Sequence, residues 1–289
     1  MTAVETGTTT AQWTAWHAER EEQLRRPHDW LSLTGFHWVP RSERPLPRLP
    51  GTWWADGDGL HVRAAAVEGA RVLGPDGEPG TVLDGVASVT VGEAGSSRFV
   101  LTREDVLVEV VRRAGLYAVR VRDPRAATRT GFTGVPTYDH DPAWVLDVAT
   151  EPYPAPRPTP VGAAAPGLTQ TASAVGEVVL TRDGVEHRLV AVGTAGRWTV
   201  LFSDETSGRT TSAWRVVAVG GDPASGRATL DLNRATNLPY AFTDYGTCPR
   251  PVEGNHLPFA VTAGERAPAG RTGVPREDAP TRVPAGQPA

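Results

Sequence analysis

Between Gln12 and Arg26 apolar and polar positions alternate at helical spacing. Trp13, Trp16, Arg20 and Leu24 fall on one face, three and four positions apart, with the methylene stem of Arg20 standing in for an apolar residue. Thr9 or Thr10 is placed to cap the start, Glu21–Arg25 and Glu22–Arg26 have the favourable i, i+4 order, and Pro27 ends the segment. The pattern predicts one packing helix that lays two indoles on a sheet.

After this helix the period drops to two. Arg98–Thr102, Asp105–Arg112 and Leu116–Arg122 are short, Val-rich and bounded by Gly, Asp or Pro. In the last, the odd positions from Tyr117 are apolar and Arg120 and Arg122 fall on the other face, which predicts a half-buried strand. Glu177–Arg182 and Val185–Gly193 flank Asp183-Gly184, a strong hairpin signal, and Arg197–Ser203 and Ala213–Val219 continue the meander. Strands joined by turns rather than helices predict a mainly β protein: an antiparallel sandwich or open barrel with one N-terminal packing helix.

Proline density divides the chain. Pro152, Pro154, Pro156, Pro158, Pro160 and Pro166 mark 152–167 as an extended connector, since prolines suit neither a helix nor a central strand. It separates a helix-plus-β half (10–151) from a second β meander with a polar loop (168–266), the two being separate domains or one continuous domain. From 267 to 289 the residues are Pro, Gly, Arg and Ala with little to bury, which predicts a disordered tail.

Composition mainly excludes. The net charge is −4, so there is no long-range attraction to a phosphate backbone and no nucleic-acid partner is expected. All 29 basic residues are Arg; without Lys there is no Schiff base, no lysine-bound pyridoxal phosphate and no Walker-type lysine. Cys248, the only cysteine, can form neither an intrachain disulfide nor a thiolate zinc cage and suits a reducing compartment. With no signal-peptide pattern and no apolar run of spanning length, a cytoplasmic location with no membrane partner is expected.

No G-x-S-x-G, H-E-x-x-H, G-x-G-x-x-G or repeated C-x-x-C occurs. The unusual stretch is Asp231 to Asn255, continuing to Glu265. It sets Asp231, Asn233, Asn237, Asp244, Tyr245, Cys248 and Asn255 among apolar anchors such as Phe242, Leu257 and Phe259. Asn and Asp side chains fix irregular turns through their own neighbouring backbone, or they converge on a pocket and hold a small ligand.

Asp139 and Asp141 around His140 offer a hard-metal or acid–base cluster, but alternation on an extended chain turns His140 away, so a solvated turn is the competing reading. Asp204-Glu205 reads as a turn or as an acid–base pair, Cys248 as a small apolar residue or a nucleophile, and Trp198, Trp214 and Arg215 as core or a stacking platform.

Trp30-Leu-Ser-Leu-Thr-Gly-Phe-His-Trp38, Val110–Asp123, Phe202–Gly208, Asp231-Leu-Asn-Arg-Ala-Thr-Asn237, Thr247-Cys-Pro249, Asn255 and Ala263-Gly-Glu265 resemble the bacterial family called domain of unknown function 1684. The resemblance runs from about Trp13 to Arg266, its C-terminal motif being the specific part, and implies no particular reaction. Thr236 stands where that family tends to have Tyr, Tyr240 where it tends to have Cys, and Ser212-Ala213-Trp214-Arg215 replaces an aromatic–Gly–Gly–Arg stretch. A reactive centre built on the missing Tyr and Cys would be altered here.

The expectation for function is a small-molecule-binding protein, with hydrolase-like acid–base turnover as its catalytic version. Asp231 and Glu205 are the candidate acid and base, Asn233, Asn237 and Asn255 the orienting amides, and Tyr245 a hydrogen-bond donor. No cofactor and no metal are expected. The alternative is a non-catalytic structural or protein-interaction protein in which the same residues only fix the loop.

Overall fold

The computed structural model describes residues 9–74, 77–93, 97–271 and 273–284, and is mainly antiparallel β. The helix α1 (Thr10–Arg25) starts on a capping box: the Thr9 hydroxyl accepts from the Gln12 backbone while the Gln12 side chain accepts from the Thr9 backbone. Leu24 is fully buried, and the face carrying Trp13, Trp16 and Arg20 turns to the C-terminal half, as the spacing predicts.

Ten strands follow: β1 (Leu33–Trp38), β2 (Arg44–Pro45), β3 (Thr52–Ala55), β4 (Leu60–Ala64), β5 (Arg71–Leu73), β6 (Pro79–Val82), β7 (Gly85–Val89), β8 (Ser97–Arg103), β9 (Val106–Arg113) and β10 (Leu116–Arg122). They form two sheets, ordered β1-β10-β9-β8-β5-β6 and β2-β3-β4-β7. Trp53, Leu60 and Val62 of the smaller sheet meet Leu101, Val108, Val110 and Val119 of the larger in one core, which makes a sandwich. Each such fully buried side chain contributes about 1.5–3 kcal/mol of transfer free energy. A short helix, α2 (Ala127–Thr130), leads out of it.

The second half contains β11 (Val145–Gly162), β12 (Thr169–Arg182), β13 (Val185–Thr194), β14 (Arg197–Asp204), β15 (Arg215–Gly220) and β16 (Arg227–Asp231). Each pairs antiparallel with the next, β14 with β15, β15 with β16, and β16 with β11, so the six strands form a closed barrel rather than an open one. Closure leaves no free edge where the six strands pair around the barrel; the extension of β11 beyond residue 149 lacks a β16 partner. Val148, Val178, Leu189, Val200, Phe202, Val217 and Leu230 fill it. The Asp183-Gly184 hairpin forms as read, both residues taking positive φ, 51° and 77°. Gly176 sits at a bulge where a Cβ would lie 2.2 Å from the Trp198 ring, so only glycine lets that indole cross the strand. Two short strands, β17 (Thr236–Asn237) and β18 (His256–Leu257), add to β15 and β14.

Three expectations need correction. The proline-rich stretch is not a connector but the middle of β11. There β11 is paired with β12 alone, because β16 reaches only residues 145–149, so prolines at alternate positions can leave their missing N–H on the unpaired side. Strand β10 is buried on both faces, not one: Arg120 and Arg122 are 3% and 4% exposed because the barrel half covers them. The tail expectation also fails for 267–271 and 273–284, whereas residues 272 and 285–289 lie outside the described ones. The Trp38 indole donates to the carbonyls of Thr281 and Arg282, the Val283 N–H to Pro166, and Ala279 and Thr281 are buried. Composition hides this because backbone, not apolar side chains, makes most of these contacts. Among the described residues no helix is long and apolar enough to cross a membrane.

Candidate functional site

Helix α1 lies across the outer wall of the barrel without sealing against it. Between them is a hollow of about 460 Å³, floored by Val216, Ala218 and Gly220 of β15 and walled by Trp16, Arg20, Thr199, Thr229, Asp231, Arg234 and Thr236. Alternation on β15 explains the floor: Val217 and Val219 point into the barrel core, and residues 216, 218 and 220 face out. The Arg234 guanidinium lies 5.5 Å from the centre of the Trp16 ring and 3.4 Å from an Asp231 oxygen.

Asp231 ends β16 and caps the turn that follows, its Oδ1 accepting from the Asn233 backbone and side-chain nitrogens, each at 3.1 Å. Asn233 is fully occupied. Its Oδ1 accepts from the Asp141 N–H, its Nδ2 donates to the Asp141 carbonyl, and its own carbonyl accepts from the Trp13 indole. Asn237 donates its backbone N–H to Glu265 and its amide to the Arg266 carbonyl, while Arg20 reaches the Asn237 carbonyl at 3.0 Å and Glu265 at 3.1 Å. Asn233 and Asn237 thus tie α1 and the 263–266 return to the barrel, and Asp231 alone of the six candidates borders the hollow.

The other three candidates lie elsewhere. Asn255 bridges β13 and β14 beyond the point where their ladder ends, bonding the Val190 N–H, the Val190 carbonyl and the Leu201 carbonyl. Tyr245 packs on Phe36, Val111 and Ala118 of the sandwich. Glu205 is exposed and pairs at 3.3 Å with His256, itself 3.0 Å from the Ser203 hydroxyl. Its neighbour Asp204 is the buried one: it accepts from the Thr206 N–H and hydroxyl and the Val261 N–H, and meets Arg215 at 3.0 Å. Burial pulls the Arg215 guanidinium below its usual range against the opposing charge of Asp204.

The aromatic candidates are core. Trp198 lies inside the barrel, and Trp214 stacks on Tyr240 with ring centres 3.9 Å apart. The Tyr240 hydroxyl accepts from the Trp214 N–H and donates to its carbonyl, and burial pushes the phenol well above its ordinary value. Burial likewise pushes the Cys248 thiol up to about 11, away from nucleophile chemistry at neutral pH. Among the described residues no group of three or more His, Cys, Asp or Glu could hold a metal ion. In the Asp139–Asp141 stretch, His140 instead bonds the Thr10 hydroxyl at the start of α1, and Asp141 caps a short turn.

Sequence reasoning missed the charged set between the two halves. Glu109 takes Arg122 at 2.7 Å and Arg120 at 3.5 Å, Arg120 also donates to the Thr247 hydroxyl, and both guanidinium groups stack on Trp30. Burial would raise the Glu109 carboxyl, but Arg120 and Arg122 outweigh it and hold it below its usual range. Two arginines two apart in an otherwise Val-rich strand were the available signal.

Compared with known proteins, the chain matches no curated protein. A solved structure it resembles is the solution NMR structure of an uncharacterized protein of Haloarcula marismortui, at 27% identity over 48% of this chain and 78% of that one, with a TM-score of 0.39. Residues 130–266, which hold the barrel, the wall of the hollow under α1 and the Asp231–Glu265 motif, match the family model described as Protein of unknown function (DUF1684).

Proposed function

We propose that this protein binds a small molecule in the hollow between α1 and the barrel wall. The observation that supports this reading is the lining: an indole, two guanidinium groups, a carboxylate and three threonine hydroxyls around an apolar floor. A few polar groups converging over an apolar surface are what a ligand site requires. Arg234 over Trp16 and beside Asp231 offers a flat ligand a stacking surface and hydrogen bonds at its edge.

Binding without turnover fits better than hydrolysis, since Asp231 is engaged with Asn233 and Arg234 and Glu205 is not part of the lining. A bacterial, cytoplasmic protein belongs to the same reading, supported by the family resemblance and the lone free cysteine. The second reading, a structural or protein-interaction role, is favoured by one observation: Asn233, Asn237 and Asn255 all spend hydrogen bonds on backbone groups of segments distant in sequence.

The test is a thermal-shift screen of a broad metabolite set against wild type, Trp16→Ala and Arg234→Ala. A compound that raises the wild-type melting temperature and loses its effect in both variants supports the hollow. No shift with any compound leaves the structural reading.

A further inference from the structure

The face of the large sheet that meets the barrel half carries more positive charge than its neighbours balance. On β9 and β10, Glu109 pairs with Arg120, Val111 with Ala118 and Arg113 with Leu116, so Glu109, Arg113 and Arg120 share that face, along with Arg122. All four are buried, Arg113 at 8% and Arg120 at 3% exposure. Glu109 is taken up mainly by Arg122, which holds it through Nε at 2.8 Å and Nη2 at 2.7 Å and donates again to the His28 carbonyl.

That leaves Arg113 and Arg120. Arg120 touches Glu109 only at 3.5 Å and spends one nitrogen on Thr247, and its Nε is buried without a hydrogen-bond partner. Among the described residues Arg113 donates only to the neighbouring Arg112 carbonyl. Glu93, the other acid that acts on Arg113, is half exposed and lies 3.8 Å from Arg112. Two cations with one shared, already engaged carboxylate are costly where water is excluded. Between them the sheet presents Ala118, on which Tyr245 packs, and from the barrel half come Thr247 and Cys248.

We propose that the seam between the two halves binds an oxyanion, the phosphate, sulfate or carboxylate group of a small solute, between the guanidinium groups of Arg113 and Arg120 and beside Cys248. Arg is the residue suited to this: a planar fork with fixed donors, always charged, that matches an oxyanion's oxygens. This site is separate from the hollow under α1, which lies on the far partners Trp16 and Arg234.

The experiment compares melting temperature in sodium phosphate with that in sodium chloride at matched ionic strength, for wild type, Arg113→Gln, Arg120→Gln and Arg234→Ala. Phosphate is expected to raise the wild-type melting temperature beyond chloride, with the excess lost in Arg113→Gln and Arg120→Gln and kept in Arg234→Ala. Sulfate and acetate arms separate a tetrahedral anion from a carboxylate. Alkylation of Cys248 in the wild-type protein is a second measurement that needs no folded variant, and phosphate is expected to slow it several-fold relative to chloride. Equal behaviour in phosphate, sulfate, acetate and chloride by both measurements overturns the proposal, as does an excess that survives loss of both arginines.

Discussion

Arg215 and Asp204 meet at 3.0 Å with neither side chain reaching solvent, and together they anchor the chain's last return across the end of the barrel. Arg215 also donates to the carbonyls of Ala263, Glu265 and Val261, and Asp204 accepts from the Val261 N–H. Removing one partner strands the other charge in a dry site. Asp204→Asn and Arg215→Met are each expected to cost about 3–5 kcal/mol, and the double variant less than their sum. Denaturant titration of the three proteins measures this; additive losses would mean the two side chains act independently.

Asn255 does for β13 and β14 what a missing ladder rung would do. Asn255→Ala leaves the Val190 N–H and the Val190 and Leu201 carbonyls without this partner, at a cost of about 1–3 kcal/mol for each group left buried and unpaired. The expected result is a melting temperature lowered by several degrees, with no change in the response to any compound that binds the hollow. A variant as stable as wild type but deaf to such a compound would put Asn255 back among ligand-binding residues.

The periodic elements were legible in the sequence because local chemistry decides them: α1 from its i, i+3, i+4 face, the 183–184 hairpin from Asp-Gly, and β14 and β15 from their apolar runs. What was not legible depends on partners distant in sequence. Prolines 152 to 160 signal the absence of a central strand, yet a barrel strand free along one side tolerates them. Arg120 and Arg122 look solvated until Thr247 and the barrel half cover them. The Asn residues of the motif stand out in the sequence, but amides serve backbone and ligand equally well, and the sequence does not tell which. Of the hollow itself, Asp231 was found; Trp16 and Arg20 were read only as packing positions, and nothing local marks Arg234.

Glu109 sets an acid limb for stability. Its folded value is depressed below the ordinary 4.5 by Arg120 and Arg122 against the opposing effect of burial. A depressed carboxyl contributes stability that is fully present above its unfolded value and is lost as pH falls through the folded one. Unfolding free energy is therefore expected to fall as pH drops below about 4.5, with a shallower slope in Glu109→Gln, although that variant starts less stable at neutral pH because it leaves two buried arginines uncompensated. Parallel slopes for the two proteins below pH 4.5 would remove Glu109 from the account.

Cys248 shifts in the opposite sense, and its consequence appears at high pH. Burial pushes the thiol to about 11, against 9.0 for the free group, so at pH 8 its thiolate is roughly a hundredfold scarcer. Alkylation by iodoacetamide is expected to be slower by about that factor than for a small free thiol under the same conditions. The stability linkage follows: a raised folded value contributes stability present below 9.0, which is lost as pH rises toward 11, and Cys248→Ala removes that decline. Alkylation at the free-thiol rate would place the sulfur in water, and Thr247 and Cys248 would then be a surface loop rather than the wall that covers Arg120.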